Sequence, residues 1–180
     1  MSNYVSRLYI SKFYKNAIKA ENEVVKASIS DKPFNWYYGE YTEGNQKYDC
    51  LTDGHVLVAF TFNTFVLNKE LFEARNKTSL NIAKALEENA KLSYEPAQLV
   101  GTKNVVGNKN PLQNSLRKDV YCVLQTKAGE KIFFNKKYQK YFTNNVEYRV
   151  HDSRTPIKIY DGGVFMGIIM PAVYIGKINE

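Results

Sequence analysis

Hydrophobic positions along the chain switch between a helical and a strand period, and each switch marks an expected element. Near the start, Val5, Leu8, Tyr9, Phe13, Ile18 and Val25 recur at helical spacing, with Lys12, Lys15 and Lys19 on the other side. Ser30-Asp31-Lys32-Pro33 ends this helix, because proline cannot continue one. Phe34 to Tyr41 is aromatic and strand-like, and Glu43-Gly44-Asn45 reads as a turn. Tyr48 to Leu51 and His55 to Phe62 are expected strands around the turn Thr52-Asp53-Gly54.

The last third of the chain has the same order. Val120 to Thr126 and Lys131 to Phe134 read as a hairpin over Ala128-Gly129. Asn135 to Phe142 reads as a short helix with Asn135 as its N-cap. Val146 to Val150, Ile157 to Tyr160 and Val164 to Met170 are expected strands, the last two joined by the tight turn Asp161-Gly162-Gly163. Alternation within them is expected to place Ile157, Ile159, Ile168 and Met170 on a buried sheet face. Between these regions, Ser79 to Leu92 has a helical apolar face of Leu80, Ala83, Leu86 and Ala90. Ser93 to Asn114 is polar and punctuated by Gly101, Gly107 and Pro111, so it reads as a long loop with one strand at Gln98–Thr102. A helix followed by three strands thus occurs twice in one domain, residues 1–180. The halves are about 1–62 and 116–180, with an insertion at about 63–115. The expected class is α+β.

Composition narrows the function. At 180 residues, with 44% apolar and 24% charged side chains, the chain is neither disordered throughout nor low in complexity. The longest apolar run, Val164 to Ile175, is shorter than a membrane span and is broken by Gly167 and Pro171. The N-terminus lacks the apolar core of a signal peptide. A soluble cytoplasmic protein with no membrane partner is expected. Cys50 and Cys122 match no zinc spacing and no redox motif, which fits buried free thiols.

The net charge of +7 is unevenly placed. Residues 1–100 hold 12 basic and 12 acidic side chains, whereas residues 101–158 hold 12 basic against four acidic. Lys and Arg interleaved with Tyr and Phe suit a surface that holds phosphates and stacks bases; a merely solvated basic face is the alternative. The candidate residues for a nucleic acid or other partner are Lys103, Lys109, Arg117, Lys118, Lys131, Lys136, Lys137, Lys140 and Tyr141. On an α-helix Lys136 and Lys140 would share one face. Trp36, in the run Trp36-Tyr37-Tyr38, is a candidate interface anchor.

Catalytic signals are sparse. Asp49, Asp53 and His55 are the residue types that hold a hard cation, but Asp53-Gly54 is also a turn signature in which aspartate bonds its own backbone. His151 and Asp152 are adjacent, so in a strand they would point apart. There is no P-loop and no GxGxxG motif. No enzyme activity, cofactor or metal is expected.

Leu51-Thr52-Asp53-Gly54-His55-Val56-Leu57 resembles a turn of bacterial DNA sliding clamps. Pro156-Ile157-Lys158-Ile159, followed by Gly167-Ile168-Ile169-Met170-Pro171, resembles the last strands of a clamp domain. Asn135-Lys136-Lys137-Tyr138 resembles a helix start in small bacteriophage proteins that look like single copies of that unit. The resemblance covers about residues 34–62 and 116–174. It implies a clamp-like pseudo-repeat of helix plus antiparallel strands, and a ring would need several subunits. It also implies a phage-type binder in the host cytoplasm, acting on nucleic-acid machinery. The expected partner is a protein or ribonucleoprotein such as an RNA-guided nuclease, inhibited in the anti-CRISPR manner, with DNA or RNA met through the basic half. A clamp-like replication accessory and a metal-dependent nuclease are the alternatives.

Overall fold

A computed structural model describes residues 37–43, 45–60, 88–89, 91–109, 116–142 and 145–172, with backbone alone for 106–109 and 116–118. Its strands are β1 (Tyr37–Glu43), β2 (Gln46–Thr52), β3 (Val56–Phe60), β4 (Glu95–Lys109), β5 (Leu116–Gln125), β6 (Lys131–Asn135), β7 (Glu147–Val150), β8 (Ile157–Asp161) and β9 (Val164–Ile169). All pair antiparallel in one nine-stranded sheet of order β1-β2-β3-β9-β8-β7-β4-β5-β6.

This overturns the α+β expectation and the clamp-like helix-plus-sheet repeat. Among the described residues, helix is confined to Glu88–Asn89 and a 3₁₀ helix at Lys136–Tyr141. The helix expected over Val5 to Val25 lies outside the described residues, as do Trp36 and most of Ser79 to Leu92. The two expected runs of three strands are present as β1–β3 and β7–β9, but they join through their last members, β3 and β9.

The segment expected as a long loop with one strand at Gln98–Thr102 is instead the 15-residue strand β4, which contains that short strand. Sequence pattern hides it because residues 98–102 are exposed and show no buried face. Backbone pairing with β5, from Gln98↔Gln125 to Lys109↔Leu116, holds the strand. Its first residues, Glu95 to Ala97, pair with β7 instead. A register shift between Leu99 and Gly101 follows just after the change of partner between Ala97 and Gln98. A bulge bends and twists a strand, and here it turns the sheet between its two partners.

The bend folds the β5–β6 hairpin over the middle of the sheet. Cys122, Leu124, Ile132 and Phe134 join Leu51, Val56, Val58, Phe60, Ile157, Ile159 and Ile169 in one buried cluster. The chain after β9 then reaches the outer side of β6, where Ala172 N–H donates to the Phe133 carbonyl at 2.7 Å. A second cluster, with Tyr41, Tyr48, Cys50, Leu57, Ala59, Tyr160 and Phe165, occupies the opposite face. β3 is buried at every position, Val56 to Phe60, because both of its faces are covered. Its unbroken apolar sequence fits that position.

The expected shared face of Ile157, Ile159, Ile168 and Met170 holds only for the first two. Ile157 pairs with Ile169, whereas Ile168 sits opposite Lys158 and packs against the second cluster, and Met170 is 37% exposed. Alternation holds along β8 but breaks in β9, where Met166 enters the first cluster and Ile168 the second, at the register shift opposite Ile159/Tyr160. Ile159→Ala should therefore cost ~2–5 kcal/mol in denaturant unfolding, as buried large-to-small changes do. Ile168→Ala should cost less than half of that. Equal losses at the two positions would refute this assignment of faces.

Candidate functional site

The turn between β2 and β3 is held by its own side chains. Asp53 Oδ1 accepts from the backbone N–H of His55 and of Val56, both at 2.9 Å. Thr52 Oγ1 accepts from Gly54 N–H at 3.0 Å and donates to the Val56 carbonyl at 2.7 Å. Gly54 adopts φ +87°, a region that favours glycine. Asp53 is thus a turn residue, and its carboxylate fixes the backbone of His55. The His55 carbonyl also accepts from Met170 N–H at 2.7 Å, so the segment that follows β9 holds His55 from the other side.

The 3₁₀ helix supplies the facing wall. Asn135 caps it, its Oδ1 accepting from Lys137 N–H at 3.0 Å. With three residues per turn, positions three apart line up. Tyr138 and Tyr141 therefore enter the core together, 6% and 3% exposed. Lys137 and Lys140 form the parallel outer row, each ammonium lying over the ring of the next tyrosine, at 4.7 and 4.8 Å. This replaces the α-helical expectation that Lys136 and Lys140 share a face. The buried ring of Tyr141 presents no surface to a partner.

These elements enclose a cleft of about 520 Å³ lined by Asp53, His55, Tyr121, Asn135, Lys137, Tyr138, Met170, Pro171 and Ala172. The exposed His55 ring lies nearly parallel to Tyr138, at 12° and 6.1 Å between centroids. Of the residues singled out in sequence, Lys137, Asp53 and His55 meet here. Lys136 and Lys140 are exposed on the adjoining helix. Lys103 and Asn135 both pair with Tyr121, a cleft residue, from the strands on either side of β5. Lys131 is exposed at the far end of β6, opposite Gln125. Lys109, Arg117 and Lys118 lie on the distal part of the β4–β5 ribbon, Lys118 opposite Val106 and Lys109 opposite Leu116.

The three remaining sequence candidates for chemistry, Asp49, His151 and Asp152, are separate from this cleft. Asp49 accepts from the Tyr38 hydroxyl at 2.5 Å. His151 Nδ1 lies 2.8 Å from the Ser93 carbonyl. Asp152 accepts from the backbone of Arg154 and Thr155 at 2.8 and 2.7 Å, and chiefly the first of these bonds lowers its pKa. Among the described residues, no group of three or more His, Cys, Asp and Glu side chains converges as a metal site.

Sequence reading missed one polar cluster, on the second buried face. Glu43 accepts from the hydroxyls of Tyr160 and Tyr41, at 2.5 and 2.7 Å. Lys158, 8% exposed, lies 3.6 Å from the same carboxylate and 4.8 Å from the Tyr94 ring centroid. The Arg149 guanidinium stacks on Tyr160 at 4.4 Å. A buried ammonium needs a paired charge, and Glu43 supplies it. Nothing in the local sequence could signal this cluster, because Glu43 and Tyr160 are 117 residues apart.

In comparisons with known proteins, no family model, no curated protein and no solved structure matches the chain. The chemistry of the site therefore rests on its geometry.

Two outcomes follow from these networks. Asp53→Ala should lower stability by ~0.5–2 kcal/mol, the usual cost of a lost cap bond. A folded Asp53→Ala variant of unchanged stability would show that the turn does not depend on the carboxylate. Burial also raises the pKa of several tyrosines, with Tyr94 and Tyr148 pushed up to about 12 and Tyr41 and Tyr160 further still. The charged form is the deprotonated one, and the unfolded chain sheds this proton at about pH 10. The folded state then holds more protons, so stability is full below about pH 10 and falls as pH rises towards about 12. Tyrosinate absorbance should accordingly rise in two stages, the later one coinciding with loss of the circular dichroism signal. Single-stage titration of all 14 tyrosines in a protein that stays folded would contradict the buried network.

Proposed function

We propose that this chain is a non-catalytic binding protein that engages nucleic acid or a nucleoprotein through the β4–β5–β6 end of its sheet. The supporting observation is a charge gradient along the sheet order. Residues 37–60, which carry β1 to β3, hold four acidic side chains and one basic one. The segment 95–141, which carries β4, β5, β6 and the 3₁₀ helix, holds nine basic against three acidic. The central strands β7 to β9 separate the two ends. Clustering on one end converts a compositional bias into a field that attracts phosphates and orients the approach of a polyanion.

The finer form of this reading is an inhibitor of a bacterial defence nuclease of the RNA-guided, anti-CRISPR-sensitive kind. Such an inhibitor needs tight binding alone, and a basic end can occupy the place of the nuclease's own nucleic acid or contact the RNA it carries.

The test is a titration of wild type and a Lys131→Glu, Lys136→Glu double variant against single-stranded RNA, duplex DNA and an RNA-guided nuclease, at several salt concentrations. Both lysines are exposed and lie outside the cleft. The variant should bind more weakly, with its salt dependence reduced by about one log–log unit per lost phosphate contact. The wild type should block the nuclease at near-stoichiometric amounts. Identical binding of both proteins to every target at all salts would remove the electrostatic basis of the proposal.

A further inference from the structure

The cleft at His55 carries more than positive charge. His55 is held in place through its own backbone groups: its N–H donates to the Asp53 carboxylate at 2.9 Å and its carbonyl accepts from Met170 N–H at 2.7 Å. Its imidazole is thereby free of any structural duty in the turn, yet it lies parallel to the buried Tyr138 ring and remains exposed. An exposed planar ring stacked on a fixed buried one is a platform on which a third ring continues the stack. Beside it stand the Lys137 ammonium and the polar side chains of Asn135 and Asp53, while Met170 and Pro171 give the cleft an apolar side. At about 520 Å³, the cleft falls within the ~300–1,000 Å³ range of small-ligand sites.

We propose that this cleft seats one unpaired nucleobase of a single strand, stacked on His55, with Lys137 at the phosphate beside it. The inference deepens the nucleic-acid reading of the basic end and rests on it. A planar, weakly polar ring matches the His55–Tyr138 stack, and an adjacent anion matches Lys137. A base inside a duplex is already stacked on both sides and cannot enter without being extruded. The site therefore selects single strands, and the phosphate-binding lysines around it do not.

The experiment uses the full chain and three probes: a short single-stranded DNA containing 2-aminopurine, the same sequence as a duplex, and free adenosine monophosphate. Wild type should quench the 2-aminopurine fluorescence and prefer the single strand. His55→Ala should weaken single-strand binding about tenfold, the order of one lost base–aromatic stack, and leave duplex binding within about twofold. His55→Phe keeps a ring and should restore both affinity and quenching. Thermal melting of the two variants should match wild type, since the turn bonds use the His55 backbone and the Thr52 and Asp53 side chains, all kept in both variants. If both DNA forms bind and His55→Ala changes neither, the base site is wrong while the basic end stands. If no form binds even at low salt, both readings fall. Adenosine monophosphate binding as tightly as the strand would replace the strand with a free nucleotide and overturn the proposal.

Discussion

The pairing of β3 with β9 is the constraint from which the rest of the molecule follows. Val56↔Ile169, Leu57↔Ile168 and Val58↔Gly167 join the first three strands to the last three. The approach is so close at Gly167 that an added Cβ would lie 2.0 Å from the Leu57 carbonyl oxygen and 3.2 Å from the Phe142 ring. Its φ of +144° is also one that side chains rarely adopt. Only glycine lets the two strands meet while Phe142 packs over them. That single residue holds together the two antiparallel meanders, the end of the 3₁₀ helix and, through the continuation of the ladder to His55 and Met170, one wall of the cleft.

The same pairing gives the sheet two buried faces. A central strand with both faces covered must be apolar throughout, and β3 is. The cost falls on its neighbours. β8 has to present Ile157 and Ile159 to one side and Lys158 and Tyr160 to the other, which places an ammonium in the second core. Glu43, reached from the far edge of the sheet, neutralises it, and the hydroxyls of Tyr41 and Tyr160 satisfy the remaining carboxylate lone pairs. An ion pair removed from water in this way adds little net stability, whereas removal of one partner strands the other. Its effect is to fix which strand sits beside which, since a slipped register would bury Lys158 without Glu43.

Local features of the fold were legible in the sequence because their causes are local. The Asp53 turn, the Asn135 cap and the β5–β6 hairpin each arise from side chains within a few residues of the backbone they bond. β4 was legible only as a short strand at Gln98–Thr102, because residues 98–102 are exposed and the length of the strand is held by pairing with a partner elsewhere in the chain. The 3₁₀ geometry was hidden for a related reason. Tyr138 and Tyr141 are three apart, a spacing that an α-helix also places on one side. What marks the 3₁₀ form is the i→i−3 bond from Phe142 N–H to the Gln139 carbonyl at 3.1 Å, which no side-chain spacing announces. A third of the cleft lining was in view as separate candidate residues, Asp53, His55 and Lys137. Their meeting depends on the β3–β9 register, which no periodicity encodes.

The topology also explains why a basic segment of sequence becomes a basic end of the molecule. Successive antiparallel strands tend to be neighbours, so a run of lysines spread over β4, β5 and β6 stays together in space. The order departs from sequence order only where β3 meets β9 and where β7 meets β4. The first departure carries the acidic β1–β2 edge away from the lysines, with the charge-balanced strands β9, β8 and β7 between them. The second leaves β4–β5–β6 at the opposite extreme. At that extreme the curl of the sheet brings the β2–β3 turn back to β6 through the residues after β9. His55 is the residue that this return delivers. It is the one exposed ring among the described residues lining the cleft that belongs to the acidic segment yet stands beside lysine. The cleft thus forms where the two ends of the charge gradient meet, which is why its chemistry mixes an aromatic stack, an amide, a carboxylate and an ammonium, whereas the rest of the basic end offers cations alone.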